Sequence, residues 1–219
     1  MPSTRLNSLL EPLGLDIIGW FEMFDGPATL AGKPAALIGN QGRAMWEVFS
    51  KSTNYLEDEK SSLDRWTKAN LSPLEVQLSA IALYPFLDGQ SQHWPFQQWA
   101  FKATGLKQSP QGLIIDPEFG LWQAFRAVLV FDQNIEIPVP DYGDHPCDSC
   151  AKKPCLSTCP VDAISDAGFH AGRCIEHVKS QAGLICREKG CIARNACPIG
   201  RSHAYLPLQQ AFHMKAFIG

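Results

Sequence analysis

Residues 147–160 read CDSCAKKPCLSTCP, and this stretch decides how the rest of the chain is interpreted. It has the spacing C-x2-C-x4-C-x3-C and ends in a proline. All eight cysteines of the 219-residue chain lie between positions 147 and 197. The first residues, MPSTRLNSLLEPLG, do not have the pattern of a secretion signal, and disulfide bonds generally need an oxidising compartment. The cysteines are therefore predicted to be thiolate metal ligands.

The remaining cysteines follow at looser spacing, C-x11-C-x4-C-x5-C, again with a proline after the last. In the bacterial ferredoxin run, C-x2-C-x2-C-x3-C-P, the fourth cysteine ligates the second of two 4Fe-4S clusters. The longer gap here is predicted to form a bulge at Lys153-Pro154. By ordered analogy, one cluster is expected on Cys147, Cys150, Cys155 and Cys197, and the other on Cys159, Cys174, Cys186 and Cys191.

Two structural zinc sites are the alternative interpretation of the cysteines, because four thiolates that include C-x2-C pairs also bind zinc. Only Cys147 and Cys150 form such a pair in this chain. Paired zinc sites normally need two such pairs, so iron–sulfur clusters are favoured.

The composition excludes several functional classes. The formal net charge is -3, the isoelectric point is near 6.1, and no block is rich in lysine or arginine. An extended nucleic-acid-binding surface is therefore not expected, while a local basic groove is compatible with the composition. Nowhere do about 18 apolar residues follow one another, as a membrane-spanning helix requires. The sequence predicts a cytoplasmic protein with no membrane partner.

The N-terminal part is predicted to be an α+β domain. Helices are expected over residues 3–10, 43–50 and 61–69, from a capping box at Ser72-Pro73-Leu74-Glu75, and near Pro95. Strands are expected over residues 16–24, 35–39 and 81–86. The runs 112–116 and 121–131 are predicted to pair as a hairpin. The predicted fold is thus an α+β domain, residues 1–140, followed by a dicluster ferredoxin-like domain, residues 141–219.

Several stretches carry a family resemblance. CPVDAI at residues 159–164, Arg173-Cys174 and Cys197-Pro198 follow one another in a characteristic order, and GLIIDPEFGLWQAFRAVLVFDQNIEIP occupies residues 112–138, with a turn at 116–122 between two apolar strands. Together they resemble the epoxyqueuosine reductases, cobalamin-dependent tRNA-modifying enzymes with a C-terminal dicluster ferredoxin domain. The turn at 116–122 is also similar to one in vitamin B12 processing chaperones, which decyanate cobalamin. The epoxyqueuosine reductases' catalytic acid matches no residue of this chain.

The resemblance implies two 4Fe-4S clusters and a corrinoid such as cobalamin as a further ligand. His93 and Trp122 are the candidate cofactor-binding residues, although a histidine in a loop and an aromatic in a strand more often only pack. A redox partner protein is expected, namely a flavodoxin, a ferredoxin or a reductase. A tRNA substrate has no support from the residues.

Two classes of function follow from the sequence. In the first, the protein is an oxidoreductase that passes electrons through two clusters to a cofactor or substrate in the N-terminal domain. In the second, it is a non-catalytic electron carrier that docks on a partner reductase. The sequence identifies no catalytic residue for the first class.

Overall fold

The computed structural model describes residues 2–57, 61–86, 93–140 and 143–219. The chain divides into two compact units, Met1–Gly105 with Gln123–Tyr142, and Leu106–Trp122 with Gly143–Gly219. The stretch 106–122, which the sequence placed in the first domain, thus groups with the cysteine-containing unit. No helix of the described residues is long and apolar enough to cross a membrane.

The described chain combines helices with short and medium strands. The helices are α1 (Pro2–Leu10), α2 (Ala44–Phe49), α3 (Thr53–Leu56), α4 (Ser62–Leu78), α5 (Phe96–Thr104), α6 (Ala171–Lys179), α7 (Leu184–Lys189), α8 (Ile192–Ala196) and α9 (Pro207–Ile218). The strands are β1 (Asp16–Glu22), β2 (Pro34–Gln41), β3 (Ala80–Leu83), β4 (Lys107–Gln108), β5 (Ile114–Ile115), β6 (Gln123–Phe131), β7 (Ile164–Ser165) and β8 (Gly168–Phe169). The predicted α+β class is confirmed.

The first unit is built on a four-stranded antiparallel sheet in the order β1-β2-β6-β3. The two central strands are continuous apolar runs whose residues are largely buried, which indicates cover on both faces. In the register, Ala36 lies opposite Leu129 of β6, and Leu129 lies opposite Ala82 of β3. The core of this unit therefore centres on β2 and β6.

Helix α5 packs on β1 at a glycine. A Cβ on Gly19 would lie 2.4 Å from the carbonyl oxygen of Ala103, so a larger residue there would displace the helix. From the same helix, the fully buried Trp99 donates its indole N–H to the carbonyl of Phe24 at 2.7 Å. Its burial and that of Tyr84 are those of core residues.

Two predicted elements of the first 131 residues are wrong. Strand β6 pairs with β2 and β3, whereas β5 pairs with β4, so the two predicted runs do not form a hairpin. A single bridge joins Asp116 to Gly120, within the connection between the runs. The turn itself forms, because Asp116 Oδ1 accepts hydrogen bonds from the amides of Glu118 and Phe119. The capping box at Ser72 does not start a helix: α4 runs through Pro73 without a break.

The second unit contains little sheet. Strands β4 and β5 form one two-stranded ladder, and β7 and β8 form another. Short helices and 3-10 turns make up much of the rest, and α7 packs against α9. All eight cysteines belong to this unit, so its local structure determines where their thiols lie.

Candidate metal centres

The cysteines lie in loops, turns and short helices. All eight are free thiols, and none forms a disulfide. Lys153 adopts a positive φ of 35° and Pro154 begins a 3-10 turn that carries Cys155, so the two extra residues of the first run are accommodated locally. Cys174 lies on α6 and Cys186 on α7, while Cys191 and Cys197 flank α8.

The first group of thiols consists of Cys147, Cys150, Cys155 and Cys197. Burial raises the pKa of the Cys147 thiol to about 11, and its three neighbours in the group raise it further as they ionise, against the lowering effect of Lys153. Burial likewise raises the pKa of Cys197, and Cys155 and Cys150 add to the shift. A cavity lined by all four thiols, together with Ile115 and Leu121, lies among them.

The second group consists of Cys159, Cys174, Cys186 and Cys191. Burial raises the pKa of the Cys174 thiol to about 11, and the other three thiols contribute to the shift. The pKa of Cys191 is also raised, first by burial and then by the charges of Cys186 and Cys159. Charge interactions thus connect the thiols in two sets of four. The assignment of each set to one cluster stays a prediction.

Backbone amides point at several of these sulfurs. Cys191 accepts hydrogen bonds from the amides of Arg194 and Ala193, which lowers its pKa against the effect of burial. The amide of Ala163 donates to the Cys159 sulfur at 3.3 Å. Amide hydrogen bonds to thiolate sulfur are a feature of iron–sulfur sites, where they tune the reduction potential.

The segment 106–122 forms part of the surroundings of the first group. Ile115 and Leu121 form a hydrophobic cluster with Cys197, and Cys147 packs against it. The buried Gln111 donates its side-chain amide to the carbonyl of Ala193 at 3.2 Å and hydrogen-bonds the Cys155 sulfur. Residues of the segment 106–122 therefore lie beside the first group of thiols.

The cysteines could also be compared with a site for one metal ion, such as structural zinc. Within the described residues, no three His, Cys, Asp or Glu side chains are placed to bind one metal ion. Structural zinc holds four ligands around one ion, with Zn–S distances of about 2.3 Å. The cubane of a 4Fe-4S cluster instead has one cysteine thiolate for each iron. The ratio of iron and acid-labile sulfide to zinc in the purified protein distinguishes the two kinds of site.

The structure places the two candidate cofactor-binding residues in different units. His93 is exposed in the first unit, and its Nδ1 lies 3.3 Å from the carbonyl oxygen of Pro85. Trp122 belongs to the second unit and is 1% exposed. Its ring is covered by Arg194 and Tyr205, with the guanidinium carbon 4.5 Å from the ring centroid. This packing leaves almost none of the Trp122 surface open to a ligand.

Two residues of this unit were not identified from the sequence. Arg194 is half-buried, its Nε atom is enclosed, and its charge lies close enough to act on Cys191. Gln209 on α9 is fully buried, and neither end of its side-chain amide has a hydrogen-bond partner. The only sequence signal for Arg194 is its position midway between Cys191 and Cys197.

A solved structure of a B12-trafficking protein has a similar fold. A C. elegans B12-trafficking protein, CblC, described as a human MMACHC homologue, is 16% identical with a TM-score of 0.55, over 99% of this chain and 94% of that chain. At this identity the likeness shows a shared fold. No protein-family model and no curated protein sequence matches the chain.

Two epoxyqueuosine reductase structures are also similar. One, solved with an epoxyqueuosine-modified tRNA-Tyr stem loop, is 19% identical with a TM-score of 0.47, over 94% of this chain and 60% of that chain. The other, from Bacillus subtilis, is 19% identical with a TM-score of 0.49, over 94% and 59% of the two chains. The chain thus spans about 60% of those enzymes. Both proteins named in the sequence resemblance are found among the similar structures.

Proposed function

We propose that this protein is an iron–sulfur redox protein whose eight cysteines hold two 4Fe-4S clusters, and that it passes electrons to a cofactor or substrate in its N-terminal domain. The observation that supports the proposal is the gathering of the thiols into two groups of four within one compact unit. Four thiolates are the usual ligand set of one 4Fe-4S cluster. The donor set therefore fits two clusters.

The chain's own residues provide the conditions that such ligands need. Cys155, Cys186 and Cys197 are buried, which limits the access of water and oxidants to the sulfurs. The amides of Ala163 and Ala193 stabilise thiolate charge on Cys159 and Cys191. Bound clusters would supply one-electron transfer, at potentials set by these hydrogen bonds and by burial.

Assembly of the clusters on the cysteine thiols is expected to release protons. The pKa values of Cys147 and Cys174 are raised to about 11, so both side chains are thiols in the metal-free chain near neutral pH. Metal is bound by the thiolate form, and each ligand must therefore lose its proton as iron enters. Burial of the thiols thus couples cluster assembly to pH.

Cobalamin is the acceptor that we propose for the N-terminal domain. The support is the fold shared with CblC, which is described as a B12-trafficking protein. His93 has an exposed side chain, so it remains a candidate contact for this ligand, whereas the burial of Trp122 weakens the case for that residue. A flavodoxin, a ferredoxin or a reductase in the cytoplasm would be the electron donor.

A non-catalytic electron carrier is the second candidate function. The observation that favours it is the burial of Trp122, one of the two candidate cofactor-binding residues, beneath Arg194 and Tyr205. In that case the N-terminal domain would recognise a partner reductase and would bind no corrinoid.

Anaerobic purification followed by metal and sulfide analysis tests the proposal. About eight iron and eight acid-labile sulfide per chain are expected, with little zinc. Zinc without sulfide would overturn the cluster proposal. A Cys155→Ala, Cys186→Ala double variant is the matched control, because it removes one buried thiol from each group and should lose both clusters.

Addition of cobalamin to the loaded protein then separates the two functions. A change in the visible spectrum of cobalamin after anaerobic reduction, dependent on the clusters, would support the oxidoreductase. Retention of all the iron with no binding and no spectral change would favour the electron carrier. A His93→Ala variant tests the proposed contact, since its affinity for cobalamin should fall while its iron content stays unchanged.

A further inference from the structure

Arg194 lies in the sequence between Cys191, a member of the second group of thiols, and Cys197, a member of the first. It lies on α8, three residues after Cys191 and three before Cys197. Its guanidinium lies 4.5 Å from the centroid of the Trp122 ring and 4.9 Å from that of Tyr205. One guanidinium nitrogen, Nη2, donates a short hydrogen bond to the carbonyl oxygen of Leu121. The charge is therefore held in a fixed, largely enclosed position.

This half-buried cation forms no ion pair with a carboxylate among the described residues. Its buried Nε likewise has no hydrogen-bond partner within the described part of the chain. The Tyr205 side chain forms a hydrogen bond with Arg194, and the Cys191 sulfur lies near enough for its charge to act on the guanidinium. An enclosed charge without a counter-ion is unfavourable. An anion near the guanidinium of Arg194 would therefore stabilise the fold.

We propose that Arg194 is the internal countercharge of the cluster held by Cys159, Cys174, Cys186 and Cys191, and that it raises that cluster's reduction potential. The inference rests on the proposed cluster function. Four thiolates and four sulfides outweigh the charge of four irons, so the cluster is anionic, and reduction adds one more negative charge. A nearby fixed cation stabilises the reduced form more than the oxidised form.

The cations that act on Cys147 and Cys197 of the first group lie at the surface. Lys153 acts on Cys147 and Arg201 acts on Cys197, and both cations are exposed. Exposed charges are screened by water and salt, whereas a buried one is screened much less. Arg194 should therefore act on the second group at any ionic strength, and Lys153 and Arg201 on the first group chiefly at low salt.

Trp122 and Tyr205 are positioning residues for Arg194. Their rings lie against the guanidinium, where cation–π attraction partly offsets the loss of hydration. The backbone amide of Arg194 also donates to the Cys191 sulfur, so the same residue contacts the ligand and carries the charge. Trp122 thereby acquires a role that does not require a bound corrinoid.

Redox titration of the loaded protein tests the inference. The two midpoint potentials are followed by electron paramagnetic resonance in the natural protein and in Arg194→Gln, Arg194→Lys and Lys153→Gln variants. A Cys174→Ser variant assigns one midpoint to the second group. In Arg194→Gln that midpoint should fall, and in Arg194→Lys most of the fall should be recovered. Lys153→Gln should shift only the other midpoint, and only at low salt.

Salt dependence gives a second measurement that does not depend on whether Arg194→Gln folds. Between low and high ionic strength, the midpoint of the first group should move more than that of the second. Equal movement of both, or an Arg194→Gln protein with full iron and unchanged potentials, would overturn the inference and leave the cluster proposal intact. Absence of iron and sulfide from the natural protein would overturn both.

Discussion

Gly120 and Ile199 are in direct backbone contact: a Cβ built on Gly120 would lie 2.2 Å from the carbonyl oxygen of Ile199. The contact is matched on the other side, because a Cβ on Gly200 would lie 2.3 Å from the carbonyl carbon of Phe119. Both glycines have positive φ, +59° and +67°. The turn at 117–120 and the loop after Cys197 are therefore held together by two positions that exclude side chains.

Replacing Gly120 with alanine should destabilise the second unit. The positive φ alone costs roughly 1–2 kcal/mol for a residue with a Cβ. The contact with backbone adds to this, since it cannot be relieved by rotating a side chain. Urea unfolding of the metal-free chain measures the change. Gly112→Ala is the control: its φ is +74°, but its nearest neighbour would be Phe169 Cβ at 3.6 Å. Equal losses in the two variants would show that the backbone contact is unimportant.

Asn195 and Gln210 form a reciprocal amide pair that links α8 to α9. Asn195 Nδ2 donates to Gln210 Oε1 at 2.8 Å, and Gln210 Nε2 donates to Asn195 Oδ1 at 3.1 Å. Because Gln210 is only 8% exposed, Asn195→Ala should leave a buried carbonyl unpaired and lower the free energy of unfolding by about 1–3 kcal/mol. Chemical denaturation gives the value.

The double variant Asn195→Ala, Gln210→Leu completes this test. Removal of both polar partners should recover part of the loss, since no buried acceptor is then left without its Asn195 donor. A double variant whose loss equals the sum of the two single losses would indicate that the amides do not interact.

Pairwise replacement of cysteines tests how the thiols are grouped. Cys155 and Cys197 belong to one group, so Cys155→Ala, Cys197→Ala should lose about half of the iron and sulfide. Cys159→Ala, Cys197→Ala removes one ligand from each group and should lose nearly all of both. Iron and acid-labile sulfide are measured after anaerobic reconstitution. Equal iron contents in the two double variants would show that the grouping is wrong.

The order of the cysteines carried much of the information about the candidate site. Short spacings fix which thiols of residues 147–160 are neighbours, and the structure adds Cys197 to three of them, as the ferredoxin analogy predicts. Arg194 was missed because two of the residues that hold its guanidinium are distant in sequence: it donates to the carbonyl of Leu121, 73 positions away, and lies over the ring of Trp122. A lone arginine in a cysteine-rich segment has no pattern by which such a contact is recognised.

The two wrong predictions of secondary structure have a similar origin. The turn chemistry at 117–120 was interpreted as a hairpin, but strand β6 has its partners in β2 and β3, which come from earlier in the chain. A turn signal is local and does not specify which strands pair. At Ser72, the capping-box pattern is overridden because α4 has already begun at Ser62, and the Ser72 hydroxyl instead lies 3.3 Å from that of Tyr84.

Asp64 gives a pH-dependent prediction in the first unit. It lies on α4, where burial raises its pKa above the ordinary value of 3.8 and the charge of Arg126 only partly opposes the shift. The folded chain thus binds this proton more tightly than the unfolded chain, so the ionised carboxylate reduces stability at neutral pH. Asp64→Asn should therefore raise Tm at pH 7.

The gain from Asp64→Asn should shrink as the pH falls through the pKa of Asp64 in the folded chain, and should disappear below 3.8, where both states carry the proton. Asp132→Asn is the control with the opposite sign. Asp132 accepts from Lys33 Nζ at 2.6 Å on the surface, so its replacement should cost up to about 1 kcal/mol at pH 7. Thermal unfolding of both variants at several pH values is the measurement. A Tm difference for Asp64→Asn that stays constant from pH 7 to pH 3 would show that the carboxylate's charge is not the cause.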